Sequence, residues 1–167
     1  MNFFSIAATT LFMISSAFAE TIQLDVRSDN VQLSGAGVVA YEEGGSNIYL
    51  FAVHGDYNST DFEFNGETLS VPDEDYTWNV SNSVGVLGLT TDPSTGFTFT
   101  EDGVLQLNGD SESFYACYNS TEDPHHRSAN FGTFQLFYDH TPTDTACAKV
   151  ELIKELQTSV SAPPVSA

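Results

Sequence analysis

Apolar and polar residues alternate with period two along most of the chain. Ile22, Leu24 and Val26 alternate with Thr21, Gln23, Asp25 and Arg27, and Ala148, Val150 and Leu152 alternate with Lys149 and Glu151. That period puts every second side chain on one face, the pattern of a strand with one side buried. Between these ends lie short runs rich in β-branched and aromatic residues, at 47–53, 76–80, 84–89, 97–100, 104–107, 113–118 and 133–138. Turn-forming residues separate them: Gly44-Gly45-Ser46-Asn47, Asn65-Gly66, Pro72-Asp73, Asp102-Gly103 and Asn108-Gly109. Gly supplies positive φ, and Asn and Asp bond their own backbone two residues on, so such clusters reverse the chain. Many short strands with regular punctuation predict an all-β fold. Only residues 152–156 offer a marginal helical pattern.

A repeat sharpens the expectation. Phe62-Glu63-Phe64-Asn65-Gly66-Glu67-Thr68-Leu69-Ser70-Val71 matches the run from Phe97-Thr98-Phe99 through Asp102-Gly103 to Val104-Leu105-Gln106-Leu107, which has one extra residue. Each reads as strand, turn around Gly, strand. Residues 24–33 form a weaker first copy, and a second hairpin follows each copy, around 38–51, 78–89 and 114–137. Three four-strand units predict a β-trefoil-like barrel of short hairpins, with a β-sandwich as the alternative.

The first nineteen residues carry an apolar run ending in Ala17-Phe18-Ala19, a small-x-small pattern. This reads as a secretory signal peptide, although its start has no Lys or Arg and only the amino terminus is positive. The expected organisation is a signal at 1–19, one all-β domain at 20–157, and a disordered Pro/Ser-rich tail at 158–167. The tail suits O-mannosylation. No hydrophobic segment follows it, so a glycosylphosphatidylinositol anchor signal is not expected. A secreted address makes the even cysteine count meaningful. Cys117 and Cys147 have one intramolecular pairing, worth roughly 3.6 kcal/mol in the chain-entropy picture. Free thiols or a link to another chain are the alternatives. It also makes three N-glycosylation sequons meaningful, at Asn58, Asn79 and Asn119. Asn58 and Asn119 sit in turn-like stretches, and Asn79 sits beside Trp78 in an expected strand.

Charge narrows the partners. Four basic residues face 23 acids, a net charge of −19. Such a surface repels nucleic-acid phosphates and anionic lipid heads, so neither is an expected partner. The chain is suited to acid surroundings, where protonation relieves the self-repulsion. Abundant Phe, Tyr, Val and Leu argue against disorder in the domain.

Candidate chemistry is thin. His54, His125, His126 and His140 lack any metal-ligand spacing, so no metal is expected. The acidic clusters Asp73-Glu74-Asp75, Asp110-Ser111-Glu112 and Glu42-Glu43 match no calcium loop. Carboxylate pairs of glycosidase type cannot be told from chance among so many acids. Ser34-Gly35-Ala36-Gly37 lacks the first Gly of a nucleophile elbow. The expectation is therefore no catalytic residue, no cofactor and no enzyme. Carbohydrate contact is the serious alternative, through Tyr76, Trp78, Tyr115 and Tyr118, since aromatic faces stack on sugars. Core filling competes for these same residues, and the Gln-x-Trp signature of ricin-like trefoils is absent.

The carboxyl half carries a resemblance. Phe114-Tyr115-Ala116-Cys117 and the run from Pro142-Thr143-Asp144-Thr145-Ala146-Cys147 to Ala148-Lys149-Val150-Glu151-Leu152 resemble fungal secreted cell-wall glycoproteins of the phialide-associated type. The stretch from Gly96-Phe97 through Asp102-Gly103-Val104-Leu105 to Phe114-Tyr115-Ala116 is similar to a repeat of yeast cell-wall mannoproteins. The resemblance spans about residues 20–153 and is closest from Phe97 on. It implies a secreted or wall-associated structural glycoprotein without enzyme activity, whose partner is a wall polysaccharide: glucan, chitin or mannan. The alternative is a secreted lectin-like protein or effector.

Overall fold

The computed structural model describes residues 19–42, 47–55, 58–73, 77–83, 85–119, 132–140 and 146–155. The chain is all-β. Its strands are β1 (Glu20–Arg27), β2 (Gly37–Glu42), β3 (Ile48–Val53), β4 (Phe62–Phe64), β5 (Leu69–Pro72), β6 (Thr77–Ser83), β7 (Val86–Thr90), β8 (Phe97–Phe99), β9 (Leu105–Leu107), β10 (Phe114–Tyr118), β11 (Phe134–Tyr138), β12 (Ala146–Lys149) and β13 (Glu151–Glu155). The expected signal peptide, apart from Ala19, and the tail lie outside the described residues.

Six strands close a barrel. β1 pairs with β13 and β4, β4 with β5, and β8 with β9. The two remaining seams are shorter. Phe97 N donates to Glu67 O at 3.0 Å, between the β5 and β8 sides. Val104 bridges Ile153, and Lys154 N donates to Gly103 O at 2.9 Å, between the β9 and β13 sides. Leu24, Leu69, Leu105, Phe62, Phe97 and Leu152 fill the interior, each 2% exposed or less.

Three hairpins cap the barrel: β2–β3, β6–β7 and β10–β11. They pair in a ring, β3 with β7, β7 with β11, and β11 with β3. Leu50, Leu87 and Leu136, one from each hairpin, are buried in the same core. This connectivity of three four-strand units is that of a β-trefoil. One device recurs in two units. Thr60 N donates to Val38 O while Thr60 Oγ1 accepts from Ala40 N, and Ser94 N donates to Val80 O while Ser94 Oγ accepts from Asn82 N. In the third unit a full ladder, β10–β12, takes that place.

Two expectations are corrected. Residues 24–33 are not a hairpin copy. Ser28 Oγ accepts from Asn30 N, Asn30 Oδ1 from Gln32 N, and Asn30 O from Leu33 N and Ser34 N, so the chain coils into a turn after β1. Local side-chain bonds of this kind compete with strand pairing. The third barrel hairpin is instead assembled from the two ends of the chain, β13 against β1. Residues 151–155 are accordingly strand and not helix, because five residue pairs with β1 fix them.

Candidate functional site

A shallow groove of about 490 Å³ runs along the outer side of β12. Its floor is Ala146, Cys147 and Ala148. One wall is Tyr118 and Phe134 with Gly132, and the other is Asn30 and Gln32 from the turn after β1. Tyr118 ends β10 opposite Ala146, and Phe134 opens β11, with ring centroids 5.7 Å apart. The Cys117–Cys147 disulfide joins β10 to β12 directly beneath, at paired positions of the ladder. The bridge therefore fixes the strand that presents Tyr118.

Two properties set this groove apart. None of its described lining residues is charged, although acids outnumber bases 23 to 4 in the chain. Among the described residues the exposed large apolar side chains are Tyr118, at 40%, and Val31, at 87%, and Val31 stands between Asn30 and Gln32. Tyr118 lines the groove, and Val31 belongs to the turn that supplies Asn30 and Gln32.

On the far side of the same turn, Arg27, Asp29, Glu112, Lys149 and Glu151 line a polar cleft of about 360 Å³. Its cations are already matched. Arg27 pairs with Glu151, and Lys149 pairs with Glu112 at 3.0 Å. The bond from Lys149 to Glu112 holds that ammonium above its ordinary pKa. Asp110 nearby is held below the usual carboxylate range by the Ser113 hydroxyl and the Glu112 N–H. The remaining described cation, Lys154, pairs with Glu20 at 2.6 Å. Every described Lys and Arg thus has a carboxylate partner, which leaves little for an anionic ligand.

Of the four expected carbohydrate contacts, the described three, Trp78, Tyr115 and Tyr118, are not brought together. Tyr76 lies outside the described residues. Trp78, on β6, is half-buried against the main core. Tyr115 is half-buried in a small cluster with Val86, Phe137 and the disulfide. Both fill space, as the competing reading held. Tyr118 alone of the described three is exposed. Sequence reasoning missed Asn30, Gln32 and Phe134. The available signal was Val31, a lone apolar residue within Ser28-Asp29-Asn30-Val31-Gln32.

Asn58 and Asn119 are exposed, and Asn119 has φ 54°. Asn79 is half-buried within β6, and its Nδ2 donates to Thr91 O at 3.2 Å. His54 and His140 are exposed, whereas His125 and His126 lie outside the described residues. Of the acidic clusters, Glu43, Glu74 and Asp75 also lie outside. Among the described residues no three His, Cys, Asp or Glu side chains gather as a metal-binding group. No described helix is long and apolar enough to cross a membrane. No family model, curated protein or solved structure matches the chain.

Proposed function

We propose that this is a secreted, non-catalytic glycoprotein of a fungal cell wall or extracellular matrix, held among neutral polysaccharide. The observation that carries the proposal is the Cys117–Cys147 bridge within the trefoil, since such bonds persist in oxidising compartments outside the cytosol. The apolar start, the sequons and the resemblance to wall glycoproteins point the same way. A rigid core carrying glycans and negative charge on its outside would act physically, through hydration, adhesion or masking. The acidic surface disfavours phosphate backbones and anionic lipid as partners.

A second reading, a freely soluble carbohydrate-binding protein, is favoured by the groove at Tyr118, whose described lining is uncharged. Fractionation of the producing cells separates the two. The wall reading expects recovery from a wall fraction released by glucanase or chitinase. Recovery from the medium alone would overturn it and leave the soluble protein.

A further inference from the structure

We propose that the groove between Tyr118 and the turn carrying Asn30 and Gln32 binds a neutral, β-linked sugar chain of glucose or N-acetylglucosamine. This rests on the proposed function only for the meeting with extracellular polysaccharide, and it holds equally for a wall-bound or a soluble protein. A β-linked pyranose of either type carries its hydroxyls or amide at the ring's rim and axial hydrogens on its faces. Such a face is apolar and stacks on an aromatic ring, while the rim needs hydrogen-bond partners that carry no net charge.

The groove offers both. Tyr118 is an exposed aromatic, backed by Phe134 at 5.7 Å. Gln32 contributes a side-chain amide, for which no hydrogen bond is seen among the described residues, and Asn30 uses its Oδ1 for Gln32 N and keeps an Nδ2 with two donors. The net charge of the chain discriminates among ligands. Uronic acids, sulfated glycans and phosphomannan would meet a groove whose described lining holds no cation, on a chain of net charge −19. Repulsion disfavours them and leaves neutral chains unaffected.

Position in the fold adds to this. Tyr118 is the last residue of β10 and the disulfide lies one residue before it, so the stacking platform is preorganised. Preorganisation removes part of the ordering cost of binding. The sequon residue Asn119 follows Tyr118 directly, so a glycan there would stand at the rim of the groove.

The test is calorimetric titration of the secreted full-length glycoprotein with laminarihexaose and with chitohexaose. It is run in parallel on Tyr118→Ala, Tyr118→Phe and Gln32→Ala, and on protein stripped of N-glycans. Thermal melts confirm that each variant is folded. Saturable binding of either oligosaccharide, weakened about tenfold in Tyr118→Ala and kept in Tyr118→Phe, is the expected result. The two oligosaccharides distinguish a glucan from a chitin source. Absence of binding at millimolar concentration, or binding indifferent to Tyr118→Ala, would overturn the proposal. Binding that appears only after N-glycan removal, and that Tyr118→Ala weakens, would support the groove as a sugar site that the protein's own glycan covers. None of these failures alters the fractionation result, so the groove and the wall reading fall separately.

Discussion

The Lys154 ammonium stands 5.7 Å from the centroid of the Phe99 ring, at the end of the barrel away from the hairpin cap. Phe99 also meets Phe64 edge-on, at 5.0 Å and 88°. In register, Phe64 faces Leu69, Phe99 faces Leu105, and Lys154 faces Leu24. Lys154 thus occupies the place of a third phenylalanine. It covers the barrel end with its aliphatic stem and keeps its charge on Glu20. Replacing Lys154 by Ala is expected to cost about 1 kcal/mol in chemical denaturation. Lys154→Phe restores the threefold pattern and is expected to melt no lower than the parent. A Lys154→Phe protein that melts as low as Lys154→Ala would show that the charge, not the packing, is what the position needs.

Gly88 is required by a close approach. It faces Tyr49 where β3 meets β7, and a Cβ there would lie 2.7 Å from Ile48 O. That oxygen is backbone within the ring of hairpins and has no flexible route away. Gly88→Ala is expected to destabilise by about 2 kcal/mol or more, read as a fall in the urea midpoint. An unchanged midpoint would mean that the hairpin ring can spread at this seam.

The disulfide ties β10 to β12, which leads through Val150 into β13, the strand that seals the barrel against β1. Its loop spans 30 residues of sequence. Replacing both Cys117 and Cys147 by Ala is expected to lower stability by roughly 3 kcal/mol. Reduction of the parent should lower its melting temperature in the same way. Equal melting of oxidised and reduced protein would show that the ladder alone holds these strands.

The hairpins with local turns were legible in the sequence. Phe62–Val71 and Phe97–Leu107 announced themselves because Asn65 Oδ1 caps one turn and the Thr100 hydroxyl and backbone close the other, all within a few residues. The third barrel hairpin was not legible in that way, because its strands lie at opposite ends of the chain and no short-range signal joins Asp25 to Ile153. The weak echo at 24–33 came from alternation alone. It failed because Ser28 and Asn30 offer the backbone a tighter local arrangement. Of the groove, only Tyr118 was foreseen. Its opposite wall sits more than eighty residues earlier in the sequence, and the groove exists only once β12 has brought the two together.

Asp25 links the barrel to pH. It is half-buried on β1, opposite Ile153 and diagonal to Glu155, with Gln23 beside it bonded to Asp61 and with Arg27 already committed to Glu151. Burial first, and the Glu155 charge second, raise its pKa above 3.8. A raised carboxyl binds its proton more tightly when folded. Its stabilising contribution is therefore full below the unfolded value and is lost as pH rises through the folded one. Asp25→Asn is expected to be more stable than the parent at neutral pH, with the difference shrinking below about pH 4. Asp110 has the opposite sign. Its lowered pKa gives stability present above 3.8 and lost as pH falls through the folded value, so Asp110→Asn should weaken the protein at neutral pH. Urea midpoints across the acid range check both, and parallel curves for Asp25→Asn and the parent would exclude Asp25 as the source.

The sequons differ in what the fold allows. Asn58 and Asn119 are exposed and lie outside the strands. Asn79 lies within β6, held between β5 and β7, with Ser70 and Thr90 as its ladder partners and its Nδ2 on Thr91 O. Val80, the middle residue of that sequon, is 2% exposed. A glycan at Asn79 must be added before the hairpin closes and must then share its amide with Thr91. Peptide mass spectrometry after enzymatic deglycosylation is expected to find Asn58 and Asn119 occupied and Asn79 largely bare. Asn79→Gln should leave the mass of the glycoprotein almost unchanged, whereas Asn58→Gln and Asn119→Gln should each remove one glycan. Full occupancy at Asn79 would mean that β6 joins its neighbours late in folding, after the chain has been modified.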